Sequence, residues 1–281
     1  MTWIECAVIV LAGTGAGIIN TVVGSGTLIT FPVLLWAGLP PVAANVANNI
    51  GLAPGSVSGA VGYRKELSGS GKRVVRFSAA ALVGGACGAV LLTVLPPGVF
   101  RVAAPVLIAL ALVLVLAEPW LGRRLESWRE AAPSQGSRSM MVAVFLTSVY
   151  GGYFGAGQGV ILLAVMAVLM SEPLQQVNAL KNVLQGVDNV ASALMFVLIA
   201  QVDWLVVALL AGGAIVGGQI GAKVGRRLPP GVLRAFIVVV PARFSHHEFA
   251  RSSRMSSSRS ASAFMRRRSA RITLMASVSV S

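Results

Sequence analysis

Residues Leu95–Arg101 read LPPGVFR, and residues Leu228–Arg234, 133 positions further on, read LPPGVLR. The same spacing of 133 positions joins other glycine and asparagine positions. They are Gly84-Gly85 with Gly217-Gly218, Gly88-Ala89 with Gly221-Ala222, Asn45 with Asn178, and Asn49 with Asn182. Because these separate matches share one spacing, we interpret the chain as an internal duplication.

The composition places this duplication in a membrane. The chain has 281 residues, of which 56% are hydrophobic and 11% are charged, with a mean hydropathy of +0.79. A soluble protein carries about 25% charged residues, and several apolar runs of this chain reach the roughly 20 residues that a membrane-spanning helix needs. We therefore predict an all-α membrane protein. Duplicated bundles with glycine-broken helices are typical of secondary transporters, whose binding site lies where the repeats meet.

The duplication divides the chain into four segments. They are membrane repeat one (1–117), a polar connector (118–139), membrane repeat two (140–240) and a Ser/Arg-rich tail (241–281). The last helix of repeat two is short, because it runs only from Val232 to Val240 before Pro241. We expect the tail to be disordered and to come from a lost reading frame. The alternative is a native basic tail that contacts anionic lipid.

The charges of the loops predict that the two repeats are inverted. The loop Arg64–Arg76 has a net charge of +4, whereas its equivalent near Gln201–Trp204 carries a single acidic residue. The segment after Gly221 again carries +4, whereas its equivalent Leu95–Arg101 carries one arginine. Because basic loops face the cytoplasm, equivalent loops are expected on opposite sides of the membrane.

An inverted repeat needs an odd number of crossings. We expect about three transmembrane helices plus one re-entrant hairpin in each repeat, Ile4–Gly38 in the first and Met140–Met170 in the second. The second hairpin has 31 residues, too few for two crossings of about 20 residues each. Bent backbone inside a membrane is tolerated only where protein or a water-filled cavity covers it. The glycines at the expected bends are therefore candidate binding residues: Gly24, Gly26, Gly155 and Gly157.

The helix after each hairpin carries most of the polar side chains of its repeat. In repeat two they are Asn178, Lys181, Asn182, Gln185, Asp188, Asn189 and Ser192, and in repeat one Asn45, Asn48, Asn49, Ser56 and Ser58. Lys181 is expected near mid-membrane, where a charge is costly and functional by default. Asp188 is its nearest candidate partner in sequence, and Asn48 takes the place of Lys181 in repeat one.

These side chains support two interpretations. In the first, Lys181 and the asparagine amides bind a small anion in a polar cavity between the repeats, helped by N–H groups and helix ends at the glycine breaks. In the second, the asparagines only join neighbouring helices by hydrogen bonds. The asparagines concerned are Asn45, Asn49, Asn178 and Asn182. A positive charge in mid-membrane favours the first interpretation for Lys181.

The net charge of +14 does not predict a nucleic-acid partner. Residues 1–240 hold 15 Lys/Arg and 8 Asp/Glu, and residues 241–281 hold 8 Arg and one Glu. Most of the first group lies in loops, as membrane topology requires, and the second lies in the tail, so membrane lipid is the expected partner. The sequence has no catalytic residue set, metal-ligand cluster or nucleotide-binding loop. We expect neither an enzyme nor a cofactor.

Two stretches resemble the TauE/SafE family of sulfite-exporter-like membrane permeases. They are GIINTVVGSGTLITFPVLLWAGLPPVAANVANNIGLAPGSVSG (residues 17–59) and GGYFGAGQGVILLAVMAVLMSEPLQQVNALKNV (residues 151–183). The family pattern is a glycine-rich break after the first helix, followed by a proline and an asparagine or threonine that open the next helix. The chain departs from it in having Gly-Ser-Gly where many relatives are richer in glycine, and in its short last helix. The resemblance implies transport of small, often sulfur-containing anions such as sulfite or organosulfonates, driven by an ion gradient.

We therefore expect a multi-pass permease of the bacterial inner membrane that moves a small anion by alternating access, either alone or as a homo-oligomer. Two alternatives remain open. One is a proton- or cation-coupled metabolite carrier in which Asp188 meets the substrate, and the other is a membrane scaffold that transports nothing. Flux across the membrane separates the scaffold from both carriers, and the charge of the substrate separates the two carriers.

Overall fold

The described part of the chain is helical. The structure, a computed structural model, describes residues 1–67, 71–129, 138–170, 172 and 174–224. In these ranges it has no strand, and its helices are α1 (Trp3–Val22), α2 (Thr27–Trp36), α3 (Pro41–Gly62), α4 (Gly71–Val94), α5 (Pro97–Arg129), α6 (Arg138–Tyr153), α7 (Gln158–Leu169), α8 (Leu174–Ile199) and α9 (Trp204–Val224). A 3-10 turn at Arg64–Leu67 lies between α3 and α4. The prediction of an all-α protein is confirmed for these residues.

Five helices are long and apolar enough to cross a bilayer. They contain the spans Trp3–Val22, Gly71–Val94, Pro97–Ala117, Gln175–Ile199 and Trp204–Lys223. By contrast, α2 has 10 residues and α7 has 12, which at 1.5 Å per residue gives about 15–18 Å, roughly half of a bilayer core. The protein is therefore a multi-pass membrane protein in which two short helices follow glycine breaks.

The helix bounds agree with the sequence except near the connector. α1 begins with a capping box, in which Thr2 and Glu5 each accept from the other's backbone N–H, and α3 begins with Pro41 at its first position, where proline is favoured. α5 continues to Arg129, beyond the end at residue 117 that was expected. The expected last helix and the Ser/Arg-rich tail lie outside the described residues, so both stay predictions.

Close packing of small residues joins helices of the two halves. α1 packs against α9, and α4 packs against α6. A Cβ added to Gly17 would lie under 3.0 Å from the carbonyl oxygen of Ala214, and one added to Gly88 would lie under 3.0 Å from that of Val149. The small-residue runs at Gly84-Gly85 and Gly217-Gly218 therefore serve helix contact.

The order of contacts along each pair fixes the relative direction of the helices. Two helices are parallel when the residue numbers of their successive contacts increase on both helices. They are antiparallel when the residue numbers increase on one helix and decrease on the other. The pairs are Gly13–Leu210 and Gly17–Ala214 (α1 and α9), Gly51–Leu210 and Gly55–Ala214 (α3 and α9), Gly84–Phe145 and Gly88–Val149 (α4 and α6), Arg73–Glu172 and Gly85–Asp188 (α4 with α8 and the residue two positions before it), and Ser56–Asn189 and Tyr63–Ala179 (α3 and its C-cap residue with α8).

Two sets of helices follow from these contacts. α1, α3 and α9, the first set, run in one direction, and α4, α6 and α8, the second set, run in the other. Each set therefore contains helices from both halves of the chain. An apolar core that includes Phe77, Met140, Met166 and Leu184 joins α4, α6, α7 and α8.

Candidate functional site

The glycine breaks of the two halves touch each other. The first break, residues 23–26, separates α1 from α2, and the second break, residues 154–157, separates α6 from α7. The amide of Gly159, at the start of α7, donates to the carbonyl oxygen of Gly24 at 3.0 Å. A Cβ added to Gly24 would lie under 3.0 Å from Cα of Gly159. The backbones of the two halves therefore meet at the breaks with no room for a side chain.

Positive φ angles identify the residues at which the chain bends. Gly24, Gly155 and Gly157 have φ of 84°, 79° and 75°, values that glycine adopts readily and other residues rarely do. Gly26 differs, because it has φ of −56° and precedes the first residue of α2. Three of the four predicted glycines thus form the bends, and Gly26 packs on α1, where an added Cβ would lie under 3.0 Å from Ala16 O.

The contact between the breaks involves Gly159, two residues beyond the predicted second bend. A spacing of 133 positions pairs Gly24 and Gly26 with Gly157 and Gly159, and Ser25 with Gln158. The predicted bend ended at Gly157, so Gln158 and Gly159 were left out of the site. Applying the spacing of the duplication to the break itself would have found both residues.

Lys181 reaches from α8 to the first break. Its side chain is 0% exposed, and its ammonium nitrogen donates to the carbonyl oxygens of Thr21 at 3.2 Å and Val22 at 3.5 Å. These carbonyls belong to the last residues of α1, where the helix end carries partial negative charge and attracts a cation. Lys181 therefore holds the end of α1 at the bend.

Asp188, expected beside Lys181, lies instead beside the second break. Its side chain is 0% exposed, and Oδ2 accepts a hydrogen bond of 2.9 Å from Nε2 of Gln158. The Oδ1 atom is buried and has no hydrogen-bond partner among the described residues. The two charged side chains of α8 are therefore directed to different breaks.

Three of the four predicted asparagines donate their amide hydrogens to backbone carbonyls, whereas Oδ1 of the fourth, Asn178, is buried without a hydrogen-bond partner among the described residues. Asn45 donates to the carbonyl of Tyr153 at 2.8 Å, Asn49 to that of Asn45 at 3.1 Å, and Asn182 to that of Asn178 at 3.1 Å. The bond from Asn45 ties α3 to the end of α6, next to the second break. In this conformation these contacts match the interpretation of the asparagines as links between and within helices.

A hydrogen-bonded network of four side chains joins α1, α3 and α8. Asn20 donates to Ser56 at 2.9 Å, Asn189 donates to Ser56 at 2.7 Å, and Gln185 donates to Asn20 at 2.9 Å. Gln185 also donates to the carbonyl of Gly24 at 3.4 Å. Asn20 was overlooked in the sequence because it is isolated in an apolar run. Ser56 and Asn189 are 133 positions apart, so two equivalent residues touch each other.

An aromatic cluster covers the second break. Phe154 of the break lies edge-on to Phe31 of α2, with ring centroids 5.4 Å apart, and Phe100 of α5 lies 5.9 Å from Phe154. All three rings are buried. α5 also approaches Gly157, because an added Cβ there would lie 3.2 Å from that of Ala111. Apolar side chains thus separate the second break from lipid on this side.

An apolar groove elsewhere in the described structure is not part of this site. It has a volume of about 690 Å³ and lies between α3, α4 and α8. Its lining is apolar except for Arg64, and it includes lipid-facing residues such as Val61 and Leu194. A groove of this composition offers few donors to an anion.

Comparison with known proteins gives the family. The profile described as "Sulfite exporter TauE/SafE" matches residues 9–242. A "probable membrane transporter protein" of Haemophilus influenzae is 27% identical over 234 residues, which cover 83% of this chain and 90% of its own. The "probable membrane transporter protein YfcA" of Escherichia coli K12 is 27% identical over 232 residues, covering 82% and 84%. No solved structure matches the chain. Because the family profile matches most of the chain, this membrane transporter belongs to the sulfite exporter TauE/SafE family.

Proposed function

We propose that the protein moves a small anion across the membrane by alternating access between two inverted repeats, and that the anion binds where the two breaks meet. Sulfite or an organosulfonate is the proposed substrate. The family description supports this choice, since it names a sulfite exporter. The relatives are named as transporters, which supports a role in transport rather than catalysis.

The directions of the helices support the inversion. Spacing by 133 positions makes α6 the equivalent of α1, α8 of α3, and α9 of α4. In every one of these pairs the two helices run in opposite directions. Residues related by a two-fold axis meet each other only on that axis, and Ser56 is hydrogen-bonded to its own equivalent, Asn189.

The short helices after the breaks support a return of the chain inside the membrane, whereas α1, with 20 residues, is itself long enough to cross it. α1 and α3 run in the same direction, so the chain between them returns to the side from which α1 started. α2 has only 10 residues, or about 15 Å of helix. Half-length helices at breaks in the membrane are the elements with which secondary transporters bind their substrates.

The proposed movement is a rocking of the first set of helices against the second. Polar contacts between the sets include the network around Ser56, the bond from Lys181 to α1 and the bond from Asn45 to Tyr153, and the contact of Gly24 with Gly159 joins the two breaks. A change of angle between the sets opens the breaks to one side and closes them to the other, as alternating access requires.

Lys181 carries the proposal of an anionic substrate. Its buried ammonium ends at the first break, and the hydroxyl of Ser25, in the same break, is buried without a hydrogen-bond partner among the described residues. Both groups donate hydrogen bonds, and the start of α2 adds backbone N–H groups with partial positive charge. The ammonium exchanges the carbonyls of Thr21 and Val22 for the anion when substrate binds.

Uptake of radiolabelled sulfite into proteoliposomes tests the function. Lys181→Met is expected to lower uptake at least about tenfold, because a hydrogen bond to a charged group contributes about 1.5–3 kcal/mol and 1.4 kcal/mol is tenfold. Lys181→Arg retains part of the uptake, since the charge stays while the geometry changes. Lys223→Met, at the end of α9, is the matched control and is expected to transport like the wild type.

Three outcomes separate the alternatives. If the wild type takes up sulfite and Lys181→Met takes it up equally fast, Lys181 has no part in the mechanism, and the backbone of the breaks remains as the anion site. Uptake of cationic metabolites but not of anions supports the carrier in which Asp188 meets the substrate. The absence of any flux under every imposed gradient supports the scaffold.

A further inference from the structure

A second polar cluster lies beside the second break. It consists of Gln158 of α7 and Asp188 of α8, which are hydrogen-bonded to each other, and Ser148 of α6, which lies three residues before Gly151, the glycine whose backbone packs against both. Their side chains are 1%, 0% and 0% exposed. Three oxygen atoms of this cluster are buried without a hydrogen-bond partner among the described residues. They are Ser148 Oγ, Gln158 Oε1 and Asp188 Oδ1. Buried polar atoms normally have a hydrogen-bond partner. Three unpaired oxygen atoms in one cluster therefore indicate a ligand that interacts with oxygen lone pairs.

Glycine backbones enclose the carboxylate of Asp188. A Cβ added to Gly85 of α4 would lie 2.5 Å from Asp188 Oδ1, and one added to Gly151 of α6 would lie under 3.0 Å from Oδ2. Asp188 therefore packs against bare helix backbone on two sides, and Gln158 occupies a third. This packing leaves no room for an organic molecule on these sides of the carboxylate, so only a small ion is considered as a ligand.

The surrounding charges leave a cation as the natural partner. Tyr150 of α6 gives its hydroxyl hydrogen to the carbonyl of Ala156, and α7 has no charged residue. The described basic residues of α4 and α6, namely Lys72, Arg73, Arg76 and Arg138, lie within the first six residues of those helices. On α8 itself, Lys181 donates hydrogen bonds to two carbonyls at the first break. A buried carboxylate is costly unless it is paired or neutralised.

We infer that Asp188, Gln158 and Ser148 form a binding site for one monovalent cation, Na⁺ or a proton, that couples to transport. Na⁺ takes carboxylate, amide and hydroxyl oxygens as ligands, and a proton binds the carboxylate directly. Sites that hold divalent ions usually combine several carboxylates, and this cluster has one. Secondary transporters bind such coupling ions at broken helices.

The first repeat has no equivalent of this site. Spacing by 133 positions places Gly15, Ser25 and Gly55 where repeat two has Ser148, Gln158 and Asp188. Gly55 packs against Ala214, with an added Cβ 2.6 Å from the alanine Cβ. The described structure thus has the carboxylate in one repeat only, which gives one cation per chain.

Gln158 lies between the proposed cation site and the proposed anion site. Gln158 is the first residue of α7, and the next residue, Gly159, donates to Gly24 of the first break. A cation that binds Gln158 and Asp188 fixes the start of α7 and, through this contact, the first break. This coupling depends on the proposed anion transport, whereas binding of the cation does not, and linkage makes the two affinities rise together.

Cation binding is tested without transport, by thermal unfolding of the full chain in lipid nanodiscs. If Na⁺ is the ligand, replacing K⁺ with Na⁺ at constant ionic strength raises the Tm of the wild type by about 3 °C or more. If a proton is the ligand, the Tm instead rises in Na⁺-free buffer between about pH 8 and pH 6, since the folded state then binds the extra proton. Asp188→Asn abolishes either response.

Two further variants keep the test decisive. Asp203→Asn changes the same chemical group at the start of α9, where Asn also caps a helix, and is expected to respond like the wild type. If Asp188→Asn does not fold, Ser148→Ala replaces it, since it keeps the charge and is expected to shift the Na⁺ concentration of half-effect several-fold. A Tm that responds equally in the wild type, Asp188→Asn and Ser148→Ala, or in none of them, overturns the site.

Coupling is tested afterwards in proteoliposomes. An imposed Na⁺ or pH gradient is expected to accelerate sulfite uptake by the wild type, and Asp188→Asn is expected to lose this acceleration while it still exchanges sulfite. Acceleration that survives in Asp188→Asn refutes coupling through this site. Absence of all sulfite flux rejects the proposed function and leaves cation binding to be judged from the unfolding data.

Discussion

α3 and α8 are equivalent helices of the two halves, yet they differ in charge. α8 carries Lys181 and Asp188 where α3 carries Asn48 and Gly55. Asn48 bonds within its own half, to Thr27 at 3.0 Å, whereas Lys181 crosses to the end of α1 in the other half. The backbone is thus duplicated while both buried charges belong to one copy.

This difference separates two properties that a transporter needs. Under the proposed alternating access, the duplicated helices supply two related arrangements, since the two halves exchange roles when the molecule opens to the other side. The charges of α8 then give the proposed anion and the proposed cation one charged partner each. We interpret α8 as the helix that binds and α3 as the helix that supports it.

The largest expected effect concerns the part that both halves share, the contact between the breaks. Gly24→Ala is expected to lower the free energy of unfolding by about 2–5 kcal/mol, because it combines overpacking against Gly159 with a strained positive φ. Gly38→Ala is the matched control, since Gly38 has φ of 92° but nothing within 4 Å of an added Cβ. It is expected to lose only about 1 kcal/mol.

Thermal unfolding in nanodiscs measures both glycine variants, and sulfite uptake follows. Equal losses for Gly24→Ala and Gly38→Ala would show that backbone strain alone matters and that the contact with Gly159 is unimportant. A larger loss for Gly24→Ala isolates the contribution of the contact.

An intermediate effect is expected at the point where equivalent residues meet. Asn189→Ala removes the bond of 2.7 Å to Ser56 and is expected to cost about 0.5–1.5 kcal/mol. Ser58→Ala is the control, because Ser58 accepts from Gln219 at 2.7 Å on the exposed side of α3. If Asn189→Ala alters the rate of sulfite exchange and Ser58→Ala does not, the network takes part in the movement of the two sets.

The smallest effect is expected at an ion pair that has no equivalent in the other half. Arg73 pairs with Glu172 across the start of α4 and the residues before α8, and the equivalent positions hold Val206 and Leu39. Both side chains are partly exposed, so the pair is expected to contribute about 0.2–1 kcal/mol. Glu172→Gln is expected to change the accessibility of the breaks from one side of the membrane more than it changes stability.

Thiol labelling of Ser25→Cys, compared with and without Glu172→Gln, measures that accessibility. The charge exchange Arg73→Glu with Glu172→Arg is the control, since it restores attraction and is expected to return the wild-type labelling rate. Labelling that is the same in all three proteins would show that the ion pair does not hold the site closed.

The sequence predicted the duplication, the helices and the breaks because each depends on a local or repeated pattern. It did not predict which atoms meet. Lys181 and Asp188 are seven residues apart, or about 10 Å along a helix, and the long lysine side chain extends to α1 rather than to the carboxylate. The partner of a flexible side chain depends on the packing of distant helices, which residue spacing does not encode.

The same reason explains the asparagines. Their spacing predicted polar positions along one helix face, and Asn45, Asn49 and Asn182 are buried. Whether an amide donates to a ligand or to a carbonyl depends on the backbone within reach. For Asn45 that backbone is Tyr153, more than 100 positions away in the chain. No pattern around residue 45 contains this information.

The packing of α1 against α9 has a consequence for biosynthesis. Gly17 leaves the ribosome long before Ala214, its contact in α9, and at about 5–20 residues per second this delay is about 10–40 s. During that time the glycine face of α1 is in the bilayer without the helix for which it is shaped. The first half of the chain therefore cannot complete its packing when its own synthesis ends. Of the described helices, α1 is made first, yet it can pack against α9 only after α9, the last of them, has been made.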